Sequence, residues 1–216
     1  SLNVFCDIAD RYDVDGLHLD DYFYPYPIQQ DGQEQPFPDE SSWQQYLQTG
    51  GRMTRDDWRR DNVNRFIREV HNSLRRRKPW LRFGISPFGI GRPQTAPGIS
   101  GFDQYDKLYA DAALWLREGW CDYFAPQLYW PIAQASQSFP VLYSYWQSEN
   151  RRRIHLWPGL LTSRVGDARR PFSAQEIIDQ IHVTRTPGTS SRHLHFRMRA
   201  LRNSRRGTGD KLTYGP

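Results

Sequence analysis

The chain has 216 residues, a net charge of +5 and two cysteines, Cys6 and Cys121. That length supports one sizeable core but falls short of the roughly 250 residues of a complete (β/α)8 barrel. The distant cysteines lack metal-ligand spacing, no apolar run is long enough to span a membrane, and no nucleic-acid motif accompanies the arginine clusters at 75–78, 151–153 and 202–206. Those clusters fall where helices or segments end, which the helix dipole favours.

Residues 1–12, SLNVFCDIADRY, read as the last turns of a helix with Leu2, Phe5, Cys6 and Ala9 near one face, so the chain is expected to begin mid-domain. The run DVDGLHLDDYFYPYP at 13–27 then reads as a buried strand entering an aromatic loop. Side chains alternate along a strand, which puts His18 and Asp20 on one face and Leu17, Leu19 and Asp21 on the other. A face holding His and Asp must line a polar cavity or find partners, because an unpartnered buried carboxylate is costly. Asp20 is the first catalytic candidate, with Asp21 at the strand's lip. The bland alternative is a carboxylate pair that caps the next loop or pairs with basic neighbours. Tyr22, Phe23, Tyr24 and Tyr26 weigh against it, since four rings exceed what a turn needs and suit stacking on sugars.

Residues 25–52 are expected to form a long irregular loop, rich in Pro, Gln and Asp. Thr54 with Asp57 makes a capping box for a helix carrying Val63, Phe66, Ile67, Val70 and Leu74, which Pro79 terminates. LRFGIS at 81–86 is the second strand, followed by a Gly/Pro loop. Tyr105, Leu108, Tyr109, Ala112 and Leu116 mark one helix closed by Gly119, and CDYFAPQLYW at 121–130 is the third strand. A helix near 141–149 leads to the strand IHLWPGL at 154–160. Ser173 and Glu176 cap a further helix before the strand HLHFRM at 193–198. The tail from 203 onward is Gly/Arg-rich and expected to be poorly ordered, giving a domain of 1–200 and a tail of 201–216.

Five strands with four intervening helices predict an α/β fold of parallel βα units, and no glycine-rich phosphate fingerprint follows any strand. In such folds chemistry gathers at the carboxyl ends of the strands, where Asp20, Asp21, Ser86, Gln127, Tyr129, Trp130, Trp157 and His195 fall. One rim rich in polar and aromatic residues points to a carbohydrate cleft.

DVDGLHLDDYFYPYP, DWRRDNVNRFI, GISPFGI, YDKLYAD, GWCDYFAPQLYWPI and LWPGLLTSRV together resemble the bacterial glycosyl hydrolase-like family 10, in order over nearly the whole chain. The resemblance implies a (β/α)8 TIM-barrel glycosidase, without cofactor, in extracytoplasmic and often lipid-anchored bacterial proteins, acting on peptide-free peptidoglycan strands. It also implies that the family's Asp pair at the end of the fourth barrel strand is Asp20 and Asp21. Strands one to three would then be missing, leaving the second half of a barrel with about five strands. Gly91 and Arg197 depart from the residues usual in the family.

Glycosidases ordinarily need two carboxyl groups, one protonated and one ionised. Adjacent aspartates can supply both, because like charges that close push their pKa values apart. Alternation sets them on opposite faces, however, so a second carboxylate from outside the chain, or Asp31, Asp39 or Glu40, stays open. A chitinase-like alternative has Asp20 orient the substrate's acetamide, Asp21 act as acid and Tyr129 hydrogen-bond the intermediate, although Tyr22 stands where that pattern has its Glu acid. Tyr22, Tyr24, Tyr129, Trp130 and Trp157 are stacking candidates, His18 and His195 are lumen hydrogen-bonders, and Arg92 and Arg164 are partners for a lactyl carboxylate. Two other classes compete. One is a metal-dependent hydrolase using His18 with Asp20, or His193 with His195. The other is a glycan-binding or inactive barrel fragment whose open sheet edges favour association.

Overall fold

The computed structural model describes residues 1–169, 171–185 and 192–202. Helix α1 (Leu2–Arg11) packs on the long α3 (Arg55–Arg77), with Phe5 meeting Phe66 and Phe83 edge-on at 6.0 and 6.2 Å. Strands β1 (Gly16–Leu19), β4 (Arg82–Ile85), β5 (Tyr123–Phe124) and β6 (His155–Leu156) form a parallel sheet in that order. Beyond them β7 (Gly159–Leu160) pairs in parallel with β8 (Leu194–His195), and bridges from Gln127 to Phe88 and Gly159 link the two sheets. Helices α5 (Ala112–Glu118), α6 (Phe139–Glu149) and α7 (Ala174–Thr184) intervene, so the predicted βα repeat is present.

The α3 capping box forms as expected: the Asp57 N–H donates to Thr54 Oγ1 at 3.2 Å, and the Thr54 hydroxyl donates back to the Asp57 carboxylate at 2.6 Å. The apolar stripe Val63, Ile67, Val70 and Leu74 is buried against the sheet together with Phe83, Phe124, Trp115 and Trp146. Both core indoles satisfy their N–H, on Asn64 Oδ1 at 2.6 Å and the Gly89 carbonyl at 2.8 Å, as buried tryptophans require. Ser173 likewise caps α7 by accepting from the Glu176 N–H at 2.9 Å.

Several expectations are corrected. The segment 25–52 is not irregular: it holds a hairpin of β2 (Ile28–Gln30) and β3 (Gln33–Gln35), then α2 (Glu40–Gln48). Asp31 and Gly32 both take positive φ, the backbone an Asp-Gly hairpin turn demands. The single helix drawn through Tyr105 and Leu116 is two, α4 (Gln104–Lys107) and α5, because Tyr109 has φ +52° and Asp111 starts a new helix by accepting from Leu114 N at 3.1 Å. The third strand is cut to two residues ahead of Pro126, and the fourth is split at Trp157 and Pro158. The fifth ends at His195, and α8 (Met198–Arg202) begins where strand was expected and runs past the proposed boundary at 200. The rest of the tail, 203–216, lies outside the described residues.

Candidate active site

Strand β1 ends at Leu19, and the alternation of more and less exposed residues along it runs on through Asp20, which is exposed, and Asp21, which is buried. The two aspartates also differ in their partners. Asp20 is exposed, and its Oδ1 accepts from the Asp21 N–H at 3.0 Å and from the Gln127 side-chain amide at 2.7 Å. The same amide also donates to the Ser86 carbonyl at 3.2 Å, which fixes Gln127 between β4 and β5. Asp21 is only 5% exposed and accepts a short hydrogen bond from the Tyr26 hydroxyl. Burial pushes the Asp21 pKa up, the Tyr26 bond opposes the shift, and the neighbouring Asp20 charge adds to it.

Sequence reasoning counted Tyr26 among the rings suited to sugars but missed its bond to Asp21. Tyr26 sits five residues past Asp21 in the Tyr-Pro alternation, where loop geometry rather than periodicity brings it back. Its ring belongs to an aromatic ridge over the strand ends: Tyr22 to Tyr26 at 5.8 Å, Tyr26 to Phe102 at 5.2 Å, Phe102 to Phe88 at 5.2 Å, and Phe88 to Trp130 at 5.5 Å. Tyr22, 72% exposed, is its solvent end. At the other end Trp130 and Tyr129 line a cavity of about 320 Å³ with Arg164 and Glu176. Burial and the charges of Asp20 and Asp21 push the Tyr129 phenol above its usual range, which places its ring in the field of both carboxylates.

A second row crosses the sheet, with exposed histidines at both of its ends. His18, Tyr123, Trp157 and His155 are stacked at 5.6, 4.9 and 5.3 Å. Gly84 makes this possible, since a Cβ there would come within 1.9 Å of the Tyr123 ring. His18 Nδ1 lies 3.0 Å from the Tyr123 hydroxyl, and burial lowers its pKa more than Asp20 raises it, which favours the neutral imidazole. The Trp157 indole N–H is buried without an acceptor among the described residues. Tyr123 was not foreseen, although Tyr123, Gln127 and Tyr129 recur with the strand period.

The remaining candidates divide. Ser86 donates its hydroxyl to the Ala125 carbonyl at 2.9 Å, so it stitches β4 to β5 rather than facing a ligand. His195 Nδ1 sits 2.7 Å from Thr162 Oγ1. Tyr24 is set apart from the aspartates, edge-on to Phe37 and Tyr109 at 4.9 Å each. Arg92 is engaged by Asp103 at 3.6 Å and Asp106 at 3.4 Å over the Tyr105 ring, whereas Arg164 has no carboxylate partner among the described residues and lies over Phe172. The alternative second carboxylates are committed elsewhere. Asp39 is held by Arg55 and Arg59, Glu40 by Arg55 and Gln44, and Asp31 forms the hairpin turn. Among the described residues no group of three or more His, Cys, Asp or Glu side chains could hold a metal, and no helix is long and apolar enough to cross a membrane. The two cysteines form no disulfide.

A parallel α/β sheet with a carboxylate pair and aromatic ridges at the carboxyl ends of its strands is the architecture of a hydrolase-like carbohydrate protein. Residues 2–175 match the family model described as "Glycosyl hydrolase-like 10", and the chain belongs to that family. It is 36% identical over 215 residues to the glycosyl hydrolase YngK of Bacillus subtilis, covering 96% of this chain and 41% of that protein. It is 32% identical over 171 residues to the glycosyl hydrolase DigH of Escherichia coli K12, covering 76% of this chain and 37% of the relative. The chain thus spans about two fifths of the length of these curated relatives.

Proposed function

We propose that this chain carries the catalytic carboxylates of a glycoside hydrolase of (β/α)8-barrel type that cleaves bacterial cell-wall glycan, peptide-free peptidoglycan strands in particular, outside the cytoplasm. The observation that carries the reading is the inequality of Asp20 and Asp21. Two consecutive carboxyl groups sit one buried and one exposed, with separate donors. Asp21, whose pKa burial raises, gives its proton to the glycosidic oxygen as the C–O bond breaks, and Asp20 stands as the carboxylate that faces the developing positive charge on the sugar. Water then adds to the anomeric carbon and returns a proton to Asp21. Gln127 and Tyr26 hold the two groups in place. Arg164, without a carboxylate partner among the described residues, is the cation available to an acidic substituent on the glycan.

Tyr129 favours a second version of the chemistry. Its ring lines the cavity at the Trp130 end of the ridge, and in this version its hydroxyl hydrogen-bonds a substrate acetamide that attacks the anomeric carbon, with Asp20 orienting that acetamide.

The test is release of sugar products from peptide-free peptidoglycan strands by this chain and by the whole reading frame that encodes it, each beside its Asp20→Asn and Asp21→Asn forms. Turnover abolished by both substitutions supports the reading. Binding without product release in the whole protein would replace it with a glycan-binding function.

A further inference from the structure

Beneath the β2–β3 hairpin lies a second cavity, of about 470 Å³, walled by Tyr24, Tyr26, Phe37 and Tyr109 and lined also by Arg59 and Lys107. We propose that it is a subsite for a neutral sugar unit of a glycan chain that extends from the Asp20–Asp21 cleft. This deepens the glycosidase reading and rests on it.

Continuity is the first argument. Tyr26 bonds Asp21 through its hydroxyl while its ring lines this cavity, so a single side chain separates the reacting carboxyl from the pocket. The second is exposed apolar surface at the pocket, with Ile28 67% and Phe37 39% exposed; large apolar groups left in solvent around a concavity mark a binding surface. A pyranose offers a C–H face that packs on such rings and a polar edge that needs donors. Lys107 supplies one: its ammonium has three donors and, among the described residues, bonds the two Glu34 oxygens at 2.9 and 3.2 Å.

Charge selects among sugars. Arg59 is neutralised by Asp39, through contacts of 2.8 Å to each carboxylate oxygen, and Lys107 by Glu34. The cavity therefore carries no surplus cation despite the chain's net charge of +5, and a carboxylate-bearing unit would gain nothing there. That contrasts with the pocket at Arg164.

The experiment is calorimetric titration of the chain with N-acetylglucosamine oligomers of two and six units, beside its Phe37→Ala and Lys107→Met forms. The unaltered chain is expected to bind the hexasaccharide at least tenfold more tightly than the disaccharide, and each substitution to lower that ratio several-fold. Equal affinity for the two lengths, or a ratio untouched by both substitutions, overturns the subsite. So does failure of every form to bind, and in that case the Asp20→Asn turnover assay still decides the cleft by itself.

Discussion

Replacing Tyr26 with Phe removes one hydroxyl and leaves the ring in its ridge between Tyr22 and Phe102. Burial and the adjoining Asp21 push the Tyr26 phenol above its usual range, so it is a donor at every working pH. Its bond favours the charged form of Asp21 and opposes burial, which favours the neutral form. A hydrogen bond to a charged group contributes about 1.5–3 kcal/mol. Its loss therefore moves the Asp21 pKa further up. Carbon-13 NMR titration of the Asp21 carboxyl reads this directly. In its proposed role of general acid Asp21 has to be protonated, and the alkaline limb of the pH–rate profile is then expected to move up by the same interval. Linkage gives a third readout. Asp21 already has a folded pKa above its unfolded value, so its protonated form stabilises the fold fully below the unfolded pKa, and that contribution is lost as pH rises through the folded pKa. Tyr26→Phe shifts the end of this window upward. A titration midpoint unchanged by the substitution would refute the argument, because the hydroxyl would then be no donor to the ionised carboxylate.

Gln127→Leu leaves Asp20 without its side-chain donor and the Ser86 carbonyl without the amide that ties β5 to it. We expect turnover to fall on the order of 10²-fold, as misplacing a reacting group by about 1 Å does, with little change in the denaturation midpoint; equal losses in rate and stability would show a merely structural role. Arg59→Met strips a guanidinium from Asp39, which is 7% exposed. Burial alone would raise the Asp39 pKa, but Arg59 and Arg55 together hold it below the usual carboxylate range. The stabilisation is therefore present above the unfolded pKa and lost as pH falls through the lowered folded value. Urea denaturation should show a cost of about 3 kcal/mol at pH 7 that shrinks in acid, and a cost independent of pH would contradict it.

What the sequence made legible was local. The α3 cap and its apolar stripe are set within a few residues, and β1, with its Asp pair, stands out because apolar alternation ends abruptly in aromatics. The hairpin was not read, although Asp31-Gly32 is a turn signal, because its flanks are Gln-rich rather than alternately apolar. The break at Tyr109 was not legible, because nothing in the spacing of apolar residues reveals a positive φ; the Arg59 guanidinium bonds its hydroxyl from a helix 50 residues earlier. Site partners followed the same division. The aspartates were found from their own strand, whereas Tyr26 and the role of Gln127 depend on a loop's return path and on a strand more than a hundred residues away.

That division explains how a dipeptide can hold two chemical roles. Adjacent aspartates have identical intrinsic acidity and share one another's charge, so nothing in the pair itself assigns a proton. The assignment comes from outside: Gln127 reaches Asp20 from beyond β5, across the end of the intervening β4, while the Tyr-Pro loop folds back over Asp21, excludes solvent and supplies the Tyr26 phenol. The loop that buries Asp21 also roofs the cavity proposed for the extending glycan.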